Sequence, residues 1–200
     1  MVCQMPHPTK LRFIQILPNA STAGDFTLKD LPGSGKRIDV LCRVLSSCFE
    51  WAPNTWDKDE IEVIAVIGDS VILRFQFPEK MIPSGEKAWA QVIKESLMGN
   101  PPDCVRASEG TLESVIIEFD NSPSSNLWLL HEEGEELNLQ EIAISGSDNS
   151  FMLGDNRGFN SQTEELISRY AMRKVSLGET SYLSSHCVAH IISEFERKDK

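Results

Sequence analysis

Two glycine-bearing segments in the last quarter of the chain carry the residue types that polar chemistry requires. LGDNRGF (Leu153 to Phe159) sets Asp155, Asn156 and Arg157 between Gly154 and Gly158. Glycine lets backbone approach a ligand closely, a carboxylate accepts a proton, and a guanidinium donates from a rigid fork. The same composition also makes a tight strand-to-helix turn with an internal Asp–Arg pair. SLGETSYLSSHC (Ser176 to Cys187) is the densest polar run that follows an apolar segment. Its amides and hydroxyls can surround a polar small molecule, and a helix starting near Ser184 presents free N–H groups. Capping by Ser184 or Ser185 accounts for the serines equally well.

A third segment, DLPGSGKRIDV (Asp30 to Val40), suggests a phosphate loop but fails at both ends. The pattern G-x-x-x-x-G-K-[ST] needs glycine where Asp30 stands and a hydroxyl where Arg37 stands. HCVAH places His186 and His190 four apart, yet a catalytic zinc helix needs glutamate where Cys187 stands, so no metal is expected. Cys187 lacks the surroundings of a nucleophile motif and suits a small core-filling residue. The four tryptophans (Trp51, Trp56, Trp89, Trp128) suit core and subunit contacts better than base stacking.

Bulk properties narrow the class. A chain of 200 residues, 40% hydrophobic and 24% charged, fits one soluble domain with a sizeable core. No apolar run approaches the roughly 20 residues of a membrane-spanning helix. The start, MVCQMPHPTK, lacks the apolar stretch of a secretory signal, so a cytoplasmic location is expected. Five scattered cysteines with no C-x-x-C pair point to reduced thiols. A net charge of −11 argues against nonspecific coating of nucleic acid. Between Lys10 and Arg43, however, six basic residues face three acidic ones, leaving room for a local basic patch.

The elements that must position these segments follow from periodicity. LRFIQIL (11–17), EVIAVIG and VILRF read as strands, the last two joined near Gly68-Asp69-Ser70. CVRA, NLWLL, SFMLG and KVSLG read as further strands. Helices are predicted over 37–49, 87–98, 111–119 and 139–144, from Ser161 onward, and over 184–195. Alternation of short apolar strands with helices predicts an α/β fold, a mostly parallel sheet with helices on both faces. Ligands in such sheets sit at the carboxyl ends of strands. Three loops that leave strand ends contain glycine: LLHEEG, LGDNRGF and SLGETSYLSSH.

Taken together, DLPGSGKRIDVLCR, LWLLHEEG, FMLGDNRGF and VSLGETSYLSSHCVAHII resemble the tRNA pseudouridine N1-methyltransferases, within the SPOUT superfamily of knotted methyltransferases. The likeness runs from about Leu11 onward and leaves residues 1–10 as an extension of a single domain over 1–200. It implies a C-terminal trefoil knot, a homodimer and S-adenosylmethionine as cofactor. By motif position it assigns Leu130, Gly154, the run Leu177, Gly178, Glu179, Thr180, Ser181 and Tyr182, and Cys187 to the cofactor pocket. Within that resemblance Asp155 is the candidate proton acceptor and Arg157 the candidate donor to a base oxygen or phosphate. Lys36, Arg37 and Arg43 become candidates for RNA contact; the other reading pairs Arg37 and Arg43 with Asp30 and Asp39. The implied activity is N1-methylation of pseudouridine in tRNA. The alternatives are the same machinery acting on another base or RNA, and a cofactor-binding RNA-recognition protein without turnover.

Overall fold

The apolar, β-branched runs become strands in the computed structural model of the chain. It describes residues 10–51, 60–122, 125–136, 138–139, 142, 147–154, 159–170 and 172–197. The strands are β1 (Leu11–Leu17), β2 (Ile61–Ile67), β3 (Val71–Phe75), β4 (Val105–Glu109), β5 (Ser125–Glu136), β6 (Asp148–Leu153) and β7 (Arg173–Ser176). They form one sheet in the order β4-β3-β2-β1-β6-β5-β7. The pairs β1–β2, β1–β6, β5–β6 and β5–β7 are parallel. Among the described residues only β2–β3 and β3–β4 are antiparallel. The sheet is mostly parallel, as alternation predicts.

Helices cover both faces. In the described residues these are α1 (Ile38–Leu45), α2 (Gly85–Leu97), α3 (Leu112–Asp120), α4 (Ser161–Arg169) and α5 (Ser184–Glu196). The predicted helix over 37–49 is present, but its last turn, Ser46–Glu50, widens into a π-helical turn. The predicted helix over 139–144 lies mainly outside the described residues.

The strand period of two sorts side chains to the two faces. On β1, Leu11, Phe13 and Leu17 join a core with Leu41, Trp89, Ile93, Val188 and Phe195. Ile14 and Ile16 join the opposite core with Val115, Ile116, Phe119 and Leu166. Trp89 is fully buried and its ring centroid lies 5.9 Å from that of Phe49. Trp128 is also buried, donating from Nε1 to Asn149 Oδ1 at 3.0 Å. Trp51 is exposed, and Trp56 lies outside the described residues.

Capping follows side-chain chemistry. Thr111 and Ser114 form a reciprocal capping box on α3, and Asp69 Oδ1 accepts from Leu112 N at 2.7 Å. Ser161 does begin α4, but its cap is Asn160, whose side chain accepts from Thr163 N.

LLHEEG differs from its sequence reading as a loop. β5 continues through it to Glu136, and the β5–β7 register shifts between Leu130 and Glu135, both of which pair with Val175. The glycine explains why the strand can return to the ladder. A Cβ on Gly134 would lie 2.6 Å from Val175 N and 2.7 Å from Ser176 N, closer than any side chain tolerates. We therefore expect Gly134→Ala to destabilise the fold by about 1–3 kcal/mol, as overpacking does, read from the midpoint of urea unfolding.

Candidate active site

Parallel strands point their carboxyl ends the same way, and the pairings Leu129 with Met152, Leu130 with Val175 and Glu136 with Ser176 bring those of β5, β6 and β7 to one edge of the sheet. A cavity of about 590 Å³ opens there. Leu130, Leu153, Val175 and Leu177 give it apolar walls, one or more from each strand end. Thr180, Ser181 and Ser184 add hydroxyls, and Gly154 and Gly178 add backbone without side chains. Arg37, Val40 and Arg43 approach from α1 and its entry.

Of the residues assigned to the pocket from sequence, Leu130, Gly154, Leu177, Gly178, Thr180, Ser181, Tyr182 and Cys187 all line this cavity. Glu179 is exposed and is not among its lining residues. Asp155 and Arg157 lie outside the described residues. Sequence reasoning missed Leu153, Phe159, Glu164 and the α5 start at Leu183–Ser185, which also line it. For Ser184, capping and a place beside a ligand were both open from sequence. The α5 N-cap is Leu183 with no side-chain bond, and Ser184 Oγ instead donates to Gly154 O at 2.9 Å. Ser47 Oγ donates to Ser185 O at 3.1 Å, tying the same turn to the π-helical segment.

The segment after β7 holds its shape through its own polar groups. Ser176 Oγ accepts from Gly178 N at 3.1 Å and donates to Gly178 O at 2.8 Å. Gly178 has φ 125°, a backbone state that side chains disfavour. His131 Nδ1 accepts from Glu133 N at 3.1 Å, which favours the tautomer with its proton on Nε2.

The arginines have a defined partner. Asp39, its side chain 4% exposed, accepts from Arg37 Nε and Nη2 at 3.1 Å each and pairs with Arg43 Nη2. Arg43 Nε also lies 3.5 Å from Glu86 Oε1. The expected Asp39 pairing is present, whereas Asp30 is occupied elsewhere. Its carboxylate accepts from Gly33 N and Ser34 N, both at 3.0 Å, closing the PGSG turn. Lys36 and Arg37 have φ of 45° and 79°, left-handed states that cost energy without glycine. Lys36 is exposed and Arg37 half-buried.

Among the described residues no cluster of three His, Cys, Asp or Glu could hold a metal, and no helix is long and apolar enough to cross a membrane. Residues 11–199 match the model of the family described as "Putative SAM-dependent RNA methyltransferase". The chain belongs to this family. A Methanococcoides burtonii protein named tRNA (pseudouridine(54)-N(1))-methyltransferase is 30% identical over 196 residues, covering 92% of this chain and 95% of that one. The protein of the same name from Thermococcus onnurineus is 32% identical, covering 90% and 93%. Among solved structures, Archaeoglobus fulgidus Nep1 bound to S-adenosylhomocysteine superposes with TM-score 0.62 at 14% identity, covering 96% of this chain and 99% of that one. The two chains share one fold along nearly their whole lengths, and the family match begins at residue 11, where the likeness read from sequence also begins.

Burial pushes the Cys187 thiol up to about 11 from its ordinary 9.0, so at neutral pH it is a thiol rather than a nucleophilic thiolate. Because the folded state holds this proton more tightly, its contribution is complete below pH 9 and is lost as pH rises toward 11. Alkylation of Cys187 by iodoacetamide at pH 8 should run about a hundredfold slower than for an ordinary cysteine, on thiolate fraction alone. Mass spectrometry of the labelled peptide measures it.

Proposed function

We propose that the cavity at the β5–β6–β7 edge binds S-adenosylmethionine and that the chain N1-methylates pseudouridine in tRNA. The observation that carries this reading is the meeting of Leu130 of β5, Gly154 after β6 and Gly178 after β7 around one cavity. The residues present suit the group. A volume of about 590 Å³ is within the usual range for sites that enclose small molecules. The leucine and valine walls suit a purine ring, and the amides and hydroxyls of residues 177–185 suit its polar edges. Glu132, Glu133 and Glu164 line the same space and favour a cationic ligand.

When bound, S-adenosylmethionine supplies a methyl group already activated by its sulfonium, so no Lewis acid is needed. The protein must then hold the acceptor nitrogen in line and remove its proton. Pseudouridine has a free N1–H, which uridine lacks because that nitrogen carries its sugar. In our reading Asp155 would accept the N1 proton, and Arg157 would donate to a base oxygen or phosphate. Both follow Gly154 in the chain, and Gly154 lines the cavity.

Lys36, Arg37 and Arg43 form the RNA-facing side. Asp39 takes up part of the charge of both arginines, yet each still lines the cavity with donors to spare. A flipped base entering the cavity would bring its phosphate past this edge. An acidic chain gains little from nonspecific attraction, so recognition rests on this local patch. By the family likeness, the reading extends to a C-terminal trefoil knot, a homodimer and a cytoplasmic location.

Three measurements test this reading. Calorimetry with S-adenosylmethionine should show binding; none would end the methyltransferase reading. Labelled methyl should pass to pseudouridine-containing tRNA but not to a uridine transcript. Transfer to both would indicate a different base, and binding without any transfer would indicate a recognition protein. Lys36→Ala with Arg37→Ala should weaken tRNA binding at least ~tenfold, about 1.4 kcal/mol, while cofactor affinity stays near normal; unchanged tRNA affinity would leave these residues a purely structural role.

A further inference from the structure

Strand β1 contains one polar residue that its surroundings do not explain. Gln15 sits in register with Leu11, Phe13 and Leu17 on the face covered by α1 and α5, and it is fully buried. It lies opposite Leu153, the last residue of β6. Its Nε2 donates to Gly154 O at 3.0 Å and approaches Leu153 O at 3.4 Å and Ile16 O at 3.3 Å. Its Oε1 is buried without a hydrogen-bond partner. A leucine or methionine here would pack without an orphaned acceptor, so the amide costs stability that the core does not require.

Gly154 O also accepts from Ser184 Oγ at 2.9 Å. One carbonyl thus engages both lone pairs, one with the centre of the sheet and one with the first residue of α5. The donors come from positions 139 residues before and 30 residues after it. Ser184 and Gly154 line the cavity, and Gln15 does not. The arrangement fixes the Gly154 peptide and sets the gap between the β6 end and the α5 start, two walls of one cavity.

We infer that Gln15 and Ser184 form a clamp on the Gly154 carbonyl that pre-shapes the cofactor cavity. Gln15 acts as a positioning residue that never touches the ligand. The inference rests on the cofactor reading above and adds to it a determinant outside the lining. Without the clamp the strand end can rotate, and binding must then supply the ordering that the folded protein otherwise provides in advance.

The test uses the full chain, calorimetry with S-adenosylmethionine and thermal unfolding. Gln15→Met keeps the volume and removes both donor and orphaned acceptor. It should weaken cofactor binding about tenfold, the scale of one lost hydrogen bond, while Tm stays equal or rises. Ser184→Ala should weaken binding similarly, and Ser184→Thr, which keeps the hydroxyl, should restore it. The double variant should lose little more than either single one, because both act through one carbonyl. Unchanged affinity in the single variants, or fully additive losses that track a falling Tm, would overturn the clamp. Absence of binding by the unaltered chain would instead overturn the cofactor reading, and the clamp's role with it.

Discussion

Parallel alignment of β1, β6, β5 and β7 is the constraint from which the site follows. Strands that run the same way deliver their carboxyl ends to one edge, where their carbonyls and the next turns must find partners outside the ladder. Here those partners come from segments far apart in the chain. Gln15 reaches from β1, Ser184 from α5, and Ser176 folds back on Gly178. Gly134 lets β5 lie against the backbone of β7 where any side chain would hold them apart. The cavity is what remains between these strand ends once their polar groups have been satisfied.

Electrostatics at the opening depend on a single buried carboxylate. Asp39 binds both Arg37 and Arg43, so two guanidiniums that would repel each other share one wall. Burial of that carboxylate is tolerable because both of its oxygens are engaged by cations. Arg37 is held in a left-handed backbone state, as is Lys36 before it, and the turn leading to them is closed by Asp30 rather than by bound phosphate. Strain of this kind persists only where surrounding contacts overdetermine it. The loop that resembles a nucleotide cradle is instead an arginine mount beside the cavity.

Much of this was legible from residue types. Strand β1 has the bounds its apolar run implies, and the β2–β3 hairpin turns where Gly68-Asp69-Ser70 predicts. Eight of the nine residues assigned to the pocket by resemblance line one cavity. Glu179 does not, because neighbours in a turn point different ways and spacing alone cannot say which faces inward. LLHEEG looked like a loop because its charges and glycine break the strand pattern. It stays extended because it pairs with β7 on either side of a register shift, which only the partner strand can dictate. Capping was one of two readings open for Ser184, because serine is favoured at a helix start; Gly154, 30 residues earlier, takes its hydroxyl.

By itself the sequence determined the local elements, the family and which segments carry polar chemistry. Hydrophobic period, turn residues and motif order are all written within a few positions of one another. The tertiary structure decided which of those segments meet, that Gln15 spends its amide on a carbonyl 139 residues away, and that Asp39 rather than Asp30 holds the arginines. The physical reason is range. Propensity and periodicity act between neighbours in the chain, whereas a hydrogen bond or ion pair is chosen by what the packed sheet brings within about 3 Å.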